Sequence, residues 1–141
     1  MQAACATVHA LLSTARLSGP ARKAVLQRMG SPARHYHGLY HLAVLWGRHR
    51  RFGRGTPCHA PRANRLIACA IAFHDAVYDV LRHDNEHRSA LLWRRYAPAD
   101  LPAAAVTWVA ETIEAIANHL AVHDATTRDA RLRLWLLDLD R

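Results

Sequence analysis

The stretch that decides the fold runs from Ile71 to Ala90 and reads I-A-F-H-D-A-V-Y-D-V-L-R-H-D-N-E-H-R-S-A. An adjacent pair, His74 and Asp75, stands at the end of an apolar segment that begins at Leu66. Such a segment predicts a buried helix, and burying an unpaired carboxylate costs several kcal/mol unless a cation or donor lies beside it. A divalent metal is one such partner. The alternative is a helix that surfaces at His74 and leaves the pair in water. Taken by themselves, His74 and Asp75 favour this solvated alternative.

The composition suits one domain with one core. The chain has 141 residues, of which 51% are hydrophobic. Lys and Arg outnumber Asp and Glu by 19 to 11, which gives a formal net charge of +8. This surplus favours an anionic partner such as a phosphate ester, a nucleotide, nucleic acid or an acidic lipid. A solvated surface from an arginine-rich composition is the alternative.

Cysteine usage and hydropathy indicate a cytoplasmic protein. Cys5, Cys58 and Cys69 are odd in number and lack a C-x-x-C spacing, which is typical of reduced thiols inside cells. No apolar run approaches the ~18 residues of a spanning helix, so no membrane partner is expected. The N-terminus lacks the basic start and cleavage pattern of a signal peptide.

Helical periodicity recurs along the chain, interrupted by proline, glycine and polar corners. No alternating strand pattern exceeds a few residues, and no internal repeat is present. We therefore predict an all-α, single-domain helical bundle over residues 1–141. The predicted helices are 4–17, 20–29, 33–51, 62–78, 85–96, one that opens at 102, and 129–140.

Four groups of histidines and aspartates are adjacent or closely spaced along the chain. They are His37 with His41, His74 with Asp75, His119 with His123, and Asp138 with Asp140. Mixed His/Asp ligation suits divalent ions of borderline hardness. Pairs spaced by four residues arise by chance in a chain with 11 histidines. The order H…HD…D over three separate helices is more specific.

Sequence motifs connect these groups. The chain reads R-H-Y-H-G-L-Y-H at 34–41, F-H-D-A-V-Y-D at 73–79, N-E-H-R-S-A at 85–90 and L-D-L-D at 137–140. It resembles the HD superfamily of metal-dependent phosphohydrolases, and more narrowly a small bacterial group of predicted HD phosphohydrolases. That group reads R-x-Y-H-N-x-x-H, F-H-D-x-V-Y-D, N-E-x-x-S-A, a later histidine and L-D-A-D-L. The resemblance covers residues 34–140 and implies an HD-type domain.

The resemblance implies that His41, His74, Asp75 and Asp140 hold a divalent metal ion. Asp138 is the rival of Asp140, because the terminal motif contains two aspartates. The ion would be Mn, Fe, Co, Ni, Zn or Mg, and the resemblance leaves open whether one or two ions bind.

The resemblance also implies catalytic roles for His37, Glu86 and His119. His37 matches the histidine that is the general acid in related cyclic-nucleotide phosphodiesterases. Glu86 would support or orient the attacking water, or is an acid favoured at a helix start. His119 would ligate a second ion or contact phosphate, or it flanks the apolar stripe that includes Val109 and Ile113.

The function implied is a metal-dependent phosphohydrolase, a phosphomonoesterase or phosphodiesterase, acting on a small phosphorylated metabolite or nucleotide through a metal-activated water. One alternative is a shortened, catalytically weak HD scaffold that binds a nucleotide or metal as a regulatory protein. Another is a basic helical module that binds nucleic acid through its arginines. The run Arg48 to Arg54 would hold an anionic substrate near the site, or is a solvated loop.

Three departures from the group pattern put activity in question. Gly38 replaces the asparagine beside the implied acid, and Ile116 replaces a threonine. The chain ends at Arg141, where the group continues, so we expect Asp140 to be loosely held. Six histidines have no spacing argument and are expected to be solvated: His9, His35, His49, His59, His83 and His87.

Overall fold

The computed structural model describes residues 2–31, 34, 38–117 and 127–140. These residues contain α-helices and a 3-10 turn and no β-strand, so the prediction of an all-α fold is confirmed. The helices are α1 (Gln2–Ala15), α2 (Gly19–Met29), α3 (Leu39–Phe52), α4 (Pro61–His74), α5 (Asn85–Tyr96), α6 (Ala103–Ala115) and α7 (Arg128–Asp140). The 3-10 turn, Pro57–His59, immediately precedes α4.

Helix α4 forms the centre of the fold. Every residue from Leu66 to His74 is buried, so the helix has no solvent-facing side over its last two and a half turns. A helix that is apolar all round must be surrounded, and α4 packs against α1, α3, α5, α6 and α7. The predicted site pair therefore lies at the C-terminal end of the most buried element.

One contiguous core contains buried side chains from all seven helices. Its largest members include Trp46 of α3, Phe73 of α4 and Trp93 of α5. Phe73 and Trp93 meet edge to face with ring centroids 5.4 Å apart, a favoured aromatic geometry. The Trp93 indole also donates to the carbonyl of Val106, which fixes α5 against α6.

Two predicted helix boundaries are wrong by four residues or more. Helix α3 begins at Leu39 rather than at 33, because Gly38 has an extended backbone with φ −101° and ψ −163°. His41 lies in this helix, whereas His37 lies outside the described residues. Helix α4 ends at His74 rather than at Tyr78, for reasons given with the site below.

The predicted apolar stripe of the sixth helix is only part of its buried face. Val109 and Ile113 are fully buried as expected, but Ala105, Trp108 and Thr112 are buried as well. The contact face is therefore wider than a single stripe, as suits a helix packed against both α4 and α5. Among the described helices, none is both long and apolar enough to cross a membrane.

Candidate metal centre

Four side chains from three helices converge at the end of α4. His41 lies in the first turn of α3, His74 is the last residue of α4, Asp75 caps that helix, and Asp140 is the last residue of α7. The His41 Nε2 atom lies 3.2 Å from Asp140 Oδ1 and 3.7 Å from Asp75 Oδ2. The three helices thus bring residues 99 positions apart into direct contact.

His74 occupies the buried side of this cluster. Its side chain is 2% exposed, and Nε2 lies 3.4 Å from Asp75 Oδ2 and 3.5 Å from Asp140 Oδ1. Its ring centroid is 5.4 Å from that of His41. One ligand atom each of His41, His74 and Asp75 lies within 4.8 Å of the other two. The alternative of a helix that surfaces at His74 is therefore not what the fold adopts.

A backbone hydrogen bond orients the His74 ring. Nδ1 lies 2.7 Å from the carbonyl oxygen of Ile71, one turn earlier in α4, and a carbonyl can only accept, so Nδ1 carries a proton. In the neutral ring the lone pair is then on Nε2, the arrangement common in metal-ligating histidines. Nε2 is buried and forms no hydrogen bond with the described residues. A lone pair facing two carboxylates is unfavourable unless a cation lies between them.

The shifted pKa values of His74 and Asp140 also indicate that positive charge is favoured in the cluster. Burial lowers the pKa of His74, but Asp75 and Asp140 outweigh it and raise that pKa to about 9. Burial raises the pKa of the Asp140 carboxyl, but the imidazoles of His41 and His74 outweigh it and hold that pKa well below its usual range. Without metal, a proton on His74 supplies part of the missing charge.

The spacing and chemistry of the donors fit a divalent ion. Two ligand atoms each ~2.1 Å from a common ion are ~3.0 Å apart at a right angle and ~3.4 Å apart at the tetrahedral angle. The nitrogen–oxygen separations of 3.2, 3.4, 3.5 and 3.7 Å in the structure are close to these values. Two carboxylates and two neutral imidazoles carry two negative charges, which a divalent cation would balance. Nitrogen and oxygen donors together suit borderline ions.

Arg34 holds the backbone that carries the pair. Its guanidinium donates to the carbonyl of Asp75 and, at 2.8 Å, to that of Ala76. These carbonyls lie where α4 ends, so a cation there also complements the helix dipole. The arginine of the first motif thus positions Asp75, a role that motif spacing alone did not assign.

Helix α5 holds the loop after the pair. Ser89 is fully buried, and its hydroxyl accepts from the Val77 amide at 3.0 Å and donates to the Val77 carbonyl at 3.1 Å. Asn85 forms a similar pair of bonds with Asp79. Its Oδ1 accepts from the Asp79 amide at 3.0 Å, and its side-chain nitrogen donates to the Asp79 carbonyl at 2.8 Å. These bonds replace helical ones, which explains why α4 stops before Tyr78. They also explain why the 73–79 and 85–90 motifs occur together.

Helix α7 is fastened to α3 close to Asp140. Arg48 donates to the carbonyl of Leu139 at 3.1 Å, and the side chain of Leu139 is buried. The Trp135 indole donates to Nδ1 of His49 at 3.0 Å. Asp140 is therefore held by its helix, in contrast to the loose terminus expected from the sequence. Arg48 contacts backbone here, so the expectation that it holds substrate has no support from this contact.

His49 is one histidine whose expected solvation is wrong. It is fully buried, and with Trp135 donating to Nδ1, its Nε2 donates to Asn64 Oδ1 at 2.8 Å. Burial lowers its pKa to about 4 despite the bond with Asn64, so it is neutral near pH 7. His59 is half-buried, and its Nε2 donates to the His49 carbonyl at 2.8 Å.

The other predicted site residues are not brought into this cluster by any described contact. Asp138 is exposed, whereas Asp140 contacts both histidines. Glu86 is half-buried in the first turn of α5, and no hydrogen bond or ion pair joins it to the four converging side chains. His37 and His119 lie outside the described residues, so their predicted roles stay predictions.

Compared with known proteins, the chain matches no family model, no curated protein and no solved structure.

Proposed function

We propose that this chain is an HD-type, metal-dependent phosphohydrolase that acts on a small phosphorylated metabolite or nucleotide. Support comes first from one observation: ligand atoms of His41, His74 and Asp75 lie within 4.8 Å of one another. Asp140 Oδ1 lies beside this set, 3.2 Å from His41 Nε2 and 3.5 Å from His74 Nε2. The buried Nε2 of His74 faces the carboxylates of Asp75 and Asp140 at 3.4 and 3.5 Å, where a bound cation would take the place of a proton.

Each of the four candidate ligands would contribute differently to holding the ion, according to its position. His74 supplies a neutral nitrogen because Ile71 holds its other proton, and Asp75 and Asp140 supply the negative charge. The side chains of His41, Asp75 and Asp140 are each partly exposed, at 23%, 18% and 22%, so substrate can approach from their side. A bound divalent cation supplies Lewis-acid chemistry, since it lowers the pKa of a water and withdraws charge from a phosphoryl oxygen.

His37 would protonate the leaving oxygen, as the sequence resemblance implies. A general acid of this kind matters most when the leaving group is a poor one. Glu86 and His119 would support the water and the phosphate. For these three residues the proposal rests on sequence alone.

Metal content tests the first half of the proposal. Asp75→Asn and Asp140→Asn each remove a charged ligand, and we expect elemental analysis to show metal in the wild type and loss of it in both variants. Asp138→Asn is the matched control, because it changes an exposed carboxylate two residues from Asp140 in the same helix. Equal metal in the wild type and Asp75→Asn would refute the assignment.

Turnover tests the second half. We expect hydrolysis of an aryl phosphate or a bis-aryl phosphate in the presence of Mn²⁺, Co²⁺ or Ni²⁺, abolished by EDTA and by Asp75→Asn. His37→Ala should retain metal but lose turnover, most of all with poor leaving groups. Metal binding without any hydrolysis would instead favour a regulatory metal- or nucleotide-binding protein.

A further inference from the structure

A second concave site lies away from the metal centre. It is a pocket of about 370 Å³ between α1, the C-terminal half of α3 and the start of α4. Its polar lining comes from Thr14, Trp46, Arg50, Arg54, His59 and Asn64. This volume lies within the ~300–1,000 Å³ typical of small-molecule sites.

The pocket is separate from the four converging side chains, none of which lines it. Arg50 and His41 are both in α3 but nine residues apart. At about 1.5 Å per residue, this places them roughly 13 Å apart along the helix axis. A ligand of the pocket is therefore not the group that the metal centre would hydrolyse.

Hydrogen-bond donors dominate the lining, and it contains no carboxylate. Arg50 and Arg54 are exposed, and neither forms an ion pair within the described part of the chain. Trp46 can only donate, and its Nε1 is buried with no hydrogen-bond partner among the described residues. Because this nitrogen is covered even though the pocket is open, the charged donors that a ligand can reach are the two guanidiniums.

The orientation of Asn64 adds a further donor. Its Oδ1 accepts from Nε2 of His49, because the Trp135 indole occupies the Nδ1 of that ring. The amide nitrogen of Asn64 therefore keeps its two N–H groups for another acceptor. The same buried contacts that fix α7 thus fix this side chain at the pocket wall.

We propose that this pocket binds the phosphate group of a small phosphorylated molecule. Two guanidiniums and an amide provide more donors than a two-oxygen carboxylate can satisfy, whereas a phosphate has three or four acceptor oxygens. Arginine recognises phosphate through paired N–H groups. These donors line a concave pocket of about 370 Å³, which favours a small ligand over the outer surface of a nucleic acid.

A titration with inorganic phosphate tests this site independently of the metal centre. The wild type in EDTA and Asp75→Asn are titrated in parallel, and the indole N–H signal of Trp46, assigned through Trp46→Phe, is followed by ¹⁵N NMR. We expect a saturable shift in both proteins. The result does not depend on hydrolysis, so failure of the proposed activity would leave it intact.

Matched arginine variants decide where phosphate binds. Arg50→Ala and Arg54→Ala should each weaken binding about tenfold or more, because each removes a charged donor. Arg51→Ala is the control, since Arg51 is exposed on the same helix with its guanidinium over the Phe52 ring, 5.2 Å from the centroid. No shift in the wild type, or equal weakening by all three variants, would overturn the proposal.

A second titration identifies the ligand class. Adenosine 5′-monophosphate should shift the Trp46 signal at concentrations no higher than inorganic phosphate requires, and adenosine should not. Duplex DNA of random sequence should leave that signal in place. A shift of the Trp46 signal by DNA that matches the phosphate shift would contradict a small-molecule site.

Discussion

Raising the pH of the metal-free protein should destabilise it through His74. The pKa of this ring is about 9 in the folded protein, against 6.5 in the unfolded chain. Between these values the folded state binds the proton and the unfolded state releases it, so stability falls as pH rises. The contribution of His74 is fully present below pH 6.5 and lost as pH passes about 9.

The size of this effect follows from the difference between the two pKa values. At about 1.4 kcal/mol for each pH unit, it amounts to about 3 kcal/mol. The ring is 2% exposed, so solvent screening reduces this figure little. Other shifted groups lie outside the window: His49 has a pKa of about 4, and burial raises the pKa of the Cys69 thiol to about 12.

Urea unfolding in EDTA, followed by circular dichroism at several pH values between about 6.5 and 9, measures this change. Asp140→Asn removes one of the carboxylates that raise the pKa of His74, so its stability should depend less on pH. Asp138→Asn should keep the wild-type slope, because that carboxylate is exposed. An unfolding free energy that is constant across the window in the wild type, or an unchanged slope in Asp140→Asn, would refute the reasoning.

Three further outcomes are expected in urea unfolding. Ser89→Ala should cost about 2 kcal/mol, because it leaves two backbone groups of the loop after α4 without partners; an unchanged midpoint would contradict this. Gly53→Ala should cost about 1–3 kcal/mol, since a Cβ there would lie 2.8 Å from the His59 ring. Gly47→Ala is the control: a Cβ there has no neighbour within 4 Å, so this variant should be neutral or stabilising. Burial keeps the pKa of His49 at about 4 against 6.5, so up to about 3 kcal/mol of stability should be lost as pH falls from 6.5 to about 4. His49→Gln should lack this acid dependence, and a slope that persists in the variant would rule out His49 as its source.

Local chemistry was sufficient to predict most helices. Pro20 lies in the first turn of α2, and Gly30 follows its last residue, so the predicted segment 20–29 differs from α2 by one residue. The ends of α5 and α7 were predicted at their observed residues, Tyr96 and Asp140. Proline, glycine and apolar period act within a few residues of each boundary, which is why a single sequence reveals them.

Boundaries and burial that depend on distant partners could not be predicted in this way. Helix α4 stops at His74 because Arg34 and Ser89 bind the backbone beyond it, and neither bond is encoded in the local propensity of 75–78. His49 is buried because Trp135, 86 residues later, donates to it.

The sequence by itself determined an all-α fold, and its motif resemblance supplied His41, His74 and Asp75 as candidate ligands, with Asp138 as a rival of Asp140 for the last place. Only the tertiary structure decided that these residues meet, and that Asp140 rather than Asp138 faces His41 and His74. Which carboxylate faces the histidines depends on how α7 packs against α3, where Arg48 and Trp135 fix its rotation. A helix turns about 100° per residue, so residues two apart point in nearly opposite directions, and packing alone selects between them.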